Sequence, residues 1–149
     1  MFDFEVTMIY YETELTARTY ECDLYGHVNN AAFLNYFEAA RVEFLEYLGF
    51  TLSSLMKEGF LLPIVRIKID YKKPVFAGEK LTVSVEWKKS GKSSSTFVQK
   101  VVKKNTDELA SVAEVTWVVT DLNGKPISIP ETLKKRVKER FGELPPENH

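Results

Sequence analysis

The chain is poor in the residue types that build disulfide frameworks and metal centres. Its 149 residues include one cysteine, Cys22, and two histidines, His27 and His149, which lie far apart. A single thiol excludes an internal disulfide and a site with several Cys ligands. No Cys, His and Asp spacing matches that of a zinc site. We therefore expect no bound metal, and a reducing compartment, which favours a cytoplasmic location.

A strong net charge and a long apolar run are also absent. The 20 Lys and Arg and 21 Asp and Glu give a formal net charge of -1, so nucleic acid is not expected as a partner. No apolar segment is long enough to span a bilayer, and the N-terminus does not have the pattern of a signal peptide. With 44% hydrophobic and 28% charged residues, we expect one folded domain over residues 1–149.

A long helix is predicted over residues 31–48. Apolar residues recur there at spacings of three and four, and Gly49 ends the pattern. Either Asn29 or Asn30 is suited to cap its first turn. This segment is the only long helical pattern in the chain, so we expect it to form the centre of the fold.

Two shorter helices are expected at other places. One covers residues 51–58, and an amphipathic helix covers 130–141 near the C-terminus. Residues 142–149 after it are expected to form a frayed, flexible tail. Residues 1–12 form an N-terminal extension without a clear period, which either lengthens the first strand or covers a neighbouring surface.

The rest of the chain alternates apolar and polar residues, as half-buried strands do. The links between these segments are short, which favours antiparallel pairing. One long helix among such strands predicts an α+β fold with the helix packed on one face of the sheet. The open sheet leaves two edges, and pairing between subunits is a common way to cover one. Five strands are predicted, over residues 13–22, 65–71, 81–87, 95–104 and 109–119.

Polar side chains suited to chemistry are concentrated just before the long helix. The run is Asp23-Leu-Tyr-Gly-His27-Val-Asn-Asn30, and it leads directly into a helix start whose amides favour negative charge. Continued through Phe33-Leu-Asn-Tyr-Phe-Glu-Ala-Ala-Arg41, it resembles the hot-dog-fold acyl-CoA thioesterases of the 4-hydroxybenzoyl-CoA thioesterase type. Residues 87–97, Trp-Lys-Lys-Ser-Gly-Lys-Ser-Ser-Ser-Thr-Phe, resemble the basic hairpin that family members use against coenzyme A.

The resemblance covers residues 13–122. It implies a hot-dog fold, in which a curved antiparallel sheet of about five strands wraps one long central helix. It also implies homodimers, often assembled into homotetramers, with the active site at the subunit interface. The implied reaction is hydrolysis of an acyl-CoA to a free carboxylic acid and coenzyme A. Coenzyme A is part of the substrate, so no separate cofactor is expected.

Asp23 is the residue to which the resemblance assigns the reaction, as nucleophile or as general base for water. The leaving group is a thiolate whose parent thiol has a pKa of about 8.5, judged from Cys, and so needs little help from an acid. Alternatively, Asp23 only caps its turn. Glu38 is the rival carboxylate, because some hot-dog enzymes take theirs from this helix, although it could simply pair with Arg41.

The neighbours of Asp23 each have two interpretations. The amides of residues 30–32 are the expected oxyanion donors. His27 either orients the thioester carbonyl or a water, or is a turn histidine bonded to backbone. Asn30 fixes the attacking water, caps the helix, or does both. Cys22 is expected to be a packed thiol and not a nucleophile.

The basic hairpin is the expected contact for the phosphates of coenzyme A. Lysine charges and serine hydroxyls suit phosphates, and Gly91 lets the backbone approach them. The alternative is a solvated basic turn. The residues assigned to coenzyme A are Lys88, Lys89, Lys92, Ser93 and Ser94.

Three other functions compete with hydrolysis of acyl-CoA. Hot-dog hydratases or dehydratases show an Asp-x-Asn-Pro-x-His-like run, whereas the run from Asp23 to His27 is one residue shorter and lacks Asn-Pro. Plant acyl-carrier-protein thioesterases place Asn two residues before the His, where this chain has Tyr25. Non-catalytic acyl-CoA-binding regulators usually lose the acid and carry a DNA-binding segment.

Overall fold

A computed structural model describes residues 9–147 and shows a curved antiparallel sheet with one long helix against its inner face. The five long strands stand in the order β1 (Tyr10–Thr16), β4 (Lys80–Ser90), β5 (Ser94–Lys103), β6 (Leu109–Val118) and β3 (Ile64–Tyr71), and each pairs antiparallel with its neighbours. This is the predicted hot-dog arrangement, which is confirmed. The elements are β1 (Tyr10–Thr16), α1 (Asn30–Tyr47), α2 (Leu52–Glu58), β2 (Phe60–Leu61), β3 (Ile64–Tyr71), β4 (Lys80–Ser90), β5 (Ser94–Lys103), β6 (Leu109–Val118), β7 (Thr120–Asp121) and α3 (Glu131–Phe141).

The core fills the space between α1 and the inner face of the sheet. Phe37 and Phe44 on α1 are fully buried. The ring of Phe44 meets Phe97 of β5 edge-on with centroids 5.5 Å apart, and Trp87 of β4 at 6.4 Å. Each side chain of this size contributes about 1.5–3 kcal/mol when fully buried. The apolar stripe of α1 is therefore what holds the helix, and the polar residues that precede it, against the sheet.

The strand register gives the sheet two distinct ends. One end lies beside the first residue of α1 and is called the helix-start end. There the hydroxyl of Tyr71 donates a hydrogen bond to the carbonyl of Asn30 over 3.1 Å. At the hairpin end, β4 turns into β5. The row of aligned residues at the helix-start end is Tyr71, Ser111 and Val101, and the row at the hairpin end is Ile64, Trp117, Ser95 and Ser90.

The two edges of the sheet differ in character. The β3 edge is eight residues long and exposes Val65 by 59% and Ile64 by 37%. The β1 edge instead exposes the carboxylates of Glu12 and Glu14. Charged side chains on an edge oppose pairing with another chain, whereas apolar ones favour it. The apolar contact on β3 is limited to Ile64 and Val65, because the strand also exposes three charged residues, Arg66, Lys68 and Asp70.

The first strand ends earlier than the predicted residue 22, and residues 10–12 of the N-terminal extension lengthen it, which was one of the two alternatives for that extension. The strand starts at Tyr10, inside the predicted extension, and ends at Thr16. A carboxylate oxygen of Glu21 accepts a hydrogen bond from the amide of Arg18 over 2.7 Å, which closes a short 3-10 turn in place of further strand. The part of the extension over residues 1–8 lies outside the described residues.

The C-terminal segment departs from the predicted frayed tail. Pro145 is buried, and Glu147 forms a bridge with Ser90 at the hairpin end. The segment is held because it packs against the hairpin, a contact that local composition does not reveal. Residues 148–149 are outside the described range. Across residues 9–147, no helix is long and apolar enough to cross a membrane.

Candidate active site

Asp23 opens a tight turn that is closed by its own hydrogen bonds. Its amide donates to the carbonyl of His27 over 2.7 Å, and Gly26, at φ +81°, donates back to the carbonyl of Asp23. Glycine suits that left-handed conformation because it has no Cβ. One carboxylate oxygen, Oδ1, accepts the amides of Tyr25 at 2.9 Å and His27 at 3.3 Å. Within the described residues the second oxygen, Oδ2, accepts nothing, so Asp23 caps its turn and still has an oxygen for chemistry.

A partly buried hydrogen bond joins this turn to α1. The Tyr36 hydroxyl, on a residue only 4% exposed, donates to Oε1 of Glu21 over 2.7 Å. The carbonyl of Glu21 in turn accepts the amide of Asn29. Burial, and then the hydrogen bond to Glu21, raises the pKa of Tyr36 well above its ordinary value, so Tyr36 stays a donor. The segment carrying Asp23 is thus fixed at both sides of the turn.

The start of α1 settles which asparagine is the cap. Asn29 is the N-cap, and its Oδ1 accepts the amide of Ala32 over 2.9 Å. Asn30 is the first helical residue, so the interpretation of Asn30 as the cap was wrong. The amide of Ala32 already donates to the cap, so it is removed from the expected oxyanion donors, which were residues 30–32. The amides of Asn30 and Ala31 remain, because the first amides of a helix have no acceptor within it.

His27 lies beside the turn and is half-buried. Its backbone bridges to Phe76, and its imidazole ring meets the Phe76 ring edge-on with centroids 4.9 Å apart. The next residue, Val28, donates its amide to Val75. The ring is therefore held in place by packing while one side of it remains accessible.

The three predicted catalytic residues, Asp23, His27 and Asn30, line one cleft of about 220 Å³. The cleft contains two cations that the sequence interpretation did not assign, Lys72 and Lys73, which follow β3. The sequence feature that could have indicated these two cleft residues is a pair of lysines between a predicted strand and Pro74. The remaining walls are Val28, Phe33, Tyr71 and Pro74.

The rival acid and the single thiol lie elsewhere. Glu38 is exposed on α1 and is not part of the Asp23 cleft. It makes no ion pair with Arg41 within 4 Å; Arg41 donates instead to Gln99 of β5 over 2.9 Å. The thiol of Cys22 is half-buried against the core and donates to the carbonyl of Arg18 over 3.6 Å, as a packed thiol would.

The predicted coenzyme A residues lie in four different surroundings. Lys92 lines a cleft of about 370 Å³ that Lys134 of α3 also lines. Lys89 faces another cleft, on the outer face of the sheet, and Lys88 pairs with Glu86 at 3.6 Å. The half-buried Ser93 and Ser94 accept hydrogen bonds through their carbonyls, from Val119 and Gly91 respectively.

The Asp23 cleft and the hairpin lie at opposite ends of β4. His27 bridges to Phe76 just before that strand, and the hairpin follows its last residue, Ser90. A strand of this length spans roughly 30 Å, at about 3.3 Å per residue. One chain therefore does not bring the predicted catalytic residues and the predicted phosphate contacts together.

No metal centre is formed by residues 9–147, since no three His, Cys, Asp or Glu side chains are grouped to hold an ion.

Comparison with known proteins agrees with this fold. The family model described as the thioesterase-like superfamily matches residues 17–137, so the chain belongs to that superfamily. The matched range contains the Asp23 turn, α1 and all the long strands except β1. The predicted hot-dog thioesterase family and the predicted class of enzyme, a thioesterase, are confirmed, and the 4-hydroxybenzoyl-CoA subtype stays a prediction.

Three relatives illustrate the match. The chain is 28% identical over 127 residues to the acyl-acyl carrier protein thioesterase ATL3 of Arabidopsis thaliana, covering 85% of this chain and 67% of that one. It is 25% identical over 129 residues to the long-chain acyl-CoA thioesterase FadM of Escherichia coli, covering 86% and 97%. A thioesterase of Thermus thermophilus, solved with coenzyme A and Zn, is 27% identical with a TM-score of 0.75, covering 89% and 94%.

Proposed function

We propose that the protein hydrolyses acyl-CoA thioesters at Asp23, releasing a carboxylic acid and coenzyme A. The observation that carries this proposal is the position of Asp23. Asp23, whose Oδ2 accepts no hydrogen bond within the described residues, lines a cleft together with Asn30, the first residue of α1. FadM acts on long-chain acyl-CoA and the Thermus thermophilus protein binds coenzyme A, which supports coenzyme A as the carrier.

The chemistry needs one carboxylate and two donors. Oδ2 of Asp23 either attacks the thioester carbonyl or takes a proton from the water that does so. The amides of Asn30 and Ala31 hydrogen-bond the developing oxyanion, which the positive end of α1 also stabilises. When the tetrahedral intermediate collapses, the C–S bond breaks and the thiolate leaves. If Asp23 is the nucleophile, water then hydrolyses the acyl anhydride.

His27 and Asn30 act as helpers in this proposal. The side chain of Asn30 is free to hold the attacking water because Asn29 performs the capping. His27 orients the thioester carbonyl or the water from the other side of the Asp23 turn. Lys72 and Lys73 add positive charge to the same cleft.

We further propose that the working unit is a homodimer joined through β3. Antiparallel pairing of two β3 edges about a two-fold axis aligns the Tyr71 end of one strand with the Ile64 end of the other. That alignment places the hairpin end of the partner beside the Asp23 cleft. The exposed Ile64 and Val65 of β3 offer an apolar contact for pairing along this edge. Assembly into a homotetramer stays a prediction.

The dimer offers contacts for the charged part of coenzyme A. The partner subunit's Lys92, with Ser93 and Ser94 beside it, lies at the hairpin end and faces a large cleft. Lys134 of α3 lines the same cleft and adds a second positive charge, although the sequence did not suggest it. Lys88 and Lys89 extend the positive charge along the same hairpin, and charge-assisted contacts to phosphate are among the stronger hydrogen bonds.

The test is thiol release from a panel of acyl-CoAs by wild type, Asp23→Asn and Glu38→Gln. The Asn side chain keeps an Oδ1 for Tyr25 and His27, so the turn should survive while the charge is lost. We expect Asp23→Asn to lose kcat by about a thousandfold or more with KM within a few-fold. Glu38→Gln serves as the matched control and should remain active. Thiol release from no acyl-CoA at all would favour a non-catalytic binding domain instead.

A further inference from the structure

A second cavity lies between the C-terminal half of α1 and the hairpin end of the sheet. Its volume is about 50 Å³. A cavity needs about 10–15 Å³ of such space to hold one water, so this one has room for a group of a few heavy atoms. Its walls are mostly apolar, with Phe44, Ile64, Trp87, Phe97 and Trp117 among them, and one charged residue, Arg41, completes the lining.

One residue in the wall of this cavity, Trp117, has a side-chain hydrogen-bond donor without a partner in the described part of the chain. Trp117 is 2% exposed, and within residues 9–147 its indole Nε1 is the only buried side-chain nitrogen or oxygen without a hydrogen-bond partner. The neighbouring indole of Trp87, with its centroid 5.1 Å away, donates to Oγ of Ser90 over 2.8 Å. Buried donors are almost always paired in folded proteins, so Nε1 of Trp117 is able to donate one further hydrogen bond.

The charged group in the cavity also lacks its natural partner. Nη1 of Arg41 donates to Oε1 of Gln99 over 2.9 Å, and no carboxylate in the described part of the chain lies within 4 Å of its guanidinium. Burial lowers the pKa of Arg41, and the nearby charge of Glu38 partly opposes this. A cation that is largely removed from water is costly unless an anion pairs with it.

The position of Arg41 is set by a rigid support. Gln99 is fully buried, and its Nε2 donates to the carbonyls of Phe37 at 3.0 Å and Ser84 at 3.3 Å. With its amide nitrogen committed to two backbone acceptors, the oxygen of Gln99 faces Arg41. Gln99 is thus a positioning residue that holds a neutral acceptor, and no negative charge, against the guanidinium.

The cavity belongs to the hairpin end, since Ile64 and Trp117 are aligned in its row. In the proposed dimer that end lies beside the partner's Asp23 cleft, so an acyl group attached to a thioester there points toward this cavity. The placement of the acyl group rests on the proposed function and the proposed dimer.

We propose that the cavity receives the far end of the acyl group and selects acyl-CoAs whose end carries an anionic or hydrogen-bond-accepting oxygen. Arg41 and the Nε1 of Trp117 bind that oxygen, and the aromatic walls contact the carbons that lead to it. A terminal carboxylate fits both the charge of Arg41 and the small volume. A phenolic hydroxyl offers the same acceptor on a ring.

Matched substrates test this selection. Adipoyl-CoA and hexanoyl-CoA have the same chain length and differ only in a terminal carboxylate, and 4-hydroxyphenylacetyl-CoA differs from phenylacetyl-CoA by one hydroxyl. We expect wild type to favour the oxygen-bearing member of at least one pair by more than about tenfold in kcat/KM. Preference confined to the first pair identifies a carboxylate, and preference confined to the second identifies a hydroxyl.

Variants assign the preference to the two residues. Arg41→Gln and Trp117→Phe should each reduce the preference at least several-fold while hydrolysis of the partner substrate without the oxygen is kept. Lys100→Gln, which removes an exposed charge on the outer face of β5, is the control and should preserve the preference. Trp117→Phe removes the unpaired donor and keeps an aromatic wall, so it tests the proposal even if Arg41→Gln fails to fold.

Two outcomes separate this inference from the proposed function. If Asp23→Asn is inactive but wild type hydrolyses both members of each pair equally well, the selection is refuted and the function stands. A preference that survives unchanged in both Arg41→Gln and Trp117→Phe also overturns the assignment. Full activity of Asp23→Asn, in contrast, contradicts the proposed function whatever the preference.

Discussion

The hydrogen bond from Tyr36 to Glu21 should stabilise both the fold and the placement of Asp23, and Tyr36→Phe removes it alone. Hydrogen bonds to charged groups contribute about 1.5–3 kcal/mol. Glu21 is only half-buried and retains its bond to the amide of Arg18, so we expect a loss of about 1–2 kcal/mol. For a chain of this length that corresponds to a fall in Tm of about 3–6 °C. Because the turn is loosened and not removed, kcat should fall while remaining well above that of Asp23→Asn.

The same variant has a characteristic pH dependence. The pKa of Tyr36 is raised by burial and by the bond to Glu21, whereas an unfolded tyrosine titrates near pH 10, its ordinary value. The stabilising contribution is therefore complete below about pH 10 and is lost as the pH rises further, because only the unfolded chain then releases the proton. The stability difference between wild type and Tyr36→Phe should narrow by up to about 1.4 kcal/mol per pH unit above that point.

The assay is urea unfolding of both proteins between pH 6 and 11, with Tyr20→Phe as the control. Tyr20 is 82% exposed, so its variant should stay within about 0.5 kcal/mol of wild type at neutral pH. A Tyr36→Phe protein as stable as wild type, or a difference that stays constant through the alkaline range, would refute the role given to this bond.

Three further predictions follow from the same geometry. Asn29→Ala should lose about 0.5–2 kcal/mol because the cap on Ala32 is removed, while Asn29→Asp should stay near wild type; equal stability of all three in thermal unfolding would contradict the cap. Val65→Asp should give a monomer by light scattering and lose activity with Asp23 intact, and an active monomer would exclude a shared site. Lys92→Ala with Lys134→Ala should raise KM for acyl-CoA but not for the matching pantetheine thioester; equal effects on both substrates would remove the phosphate role.

The local periodicity of apolar residues was sufficient to predict the main helices and strands. The predicted helix over 31–48 and the observed Asn30–Tyr47 differ by one residue at each end, because the apolar spacing along α1 directly reflects its packing against the sheet. The four later strands were likewise predicted within a few residues. The end of the first strand was misplaced because the bond between Glu21 and Arg18, which ends it early, depends on a side chain and not on a pattern.

The site was only partly predictable for a related reason. Asp23, His27 and Asn30 are close in sequence, so a shared cleft could be expected. The separation of the hairpin from Asp23 could not be expected from the sequence, because the sequence does not say at which end of the sheet each turn lies. Arg41 and Gln99 are neighbours across 58 residues of sequence, and only the folded chain brings them to the cavity that Trp117 lines.

The most direct test of the account is a single-turnover measurement of thiol release with enzyme in excess over an acyl-CoA. Wild type should release the thiol rapidly, and Asp23→Asn should bind the same acyl-CoA with similar affinity but release thiol at least about a thousandfold more slowly. Asp23→Asn that reacts as fast as wild type, together with an inactive Glu38→Gln, would contradict the account and assign the reaction to the carboxylate on α1.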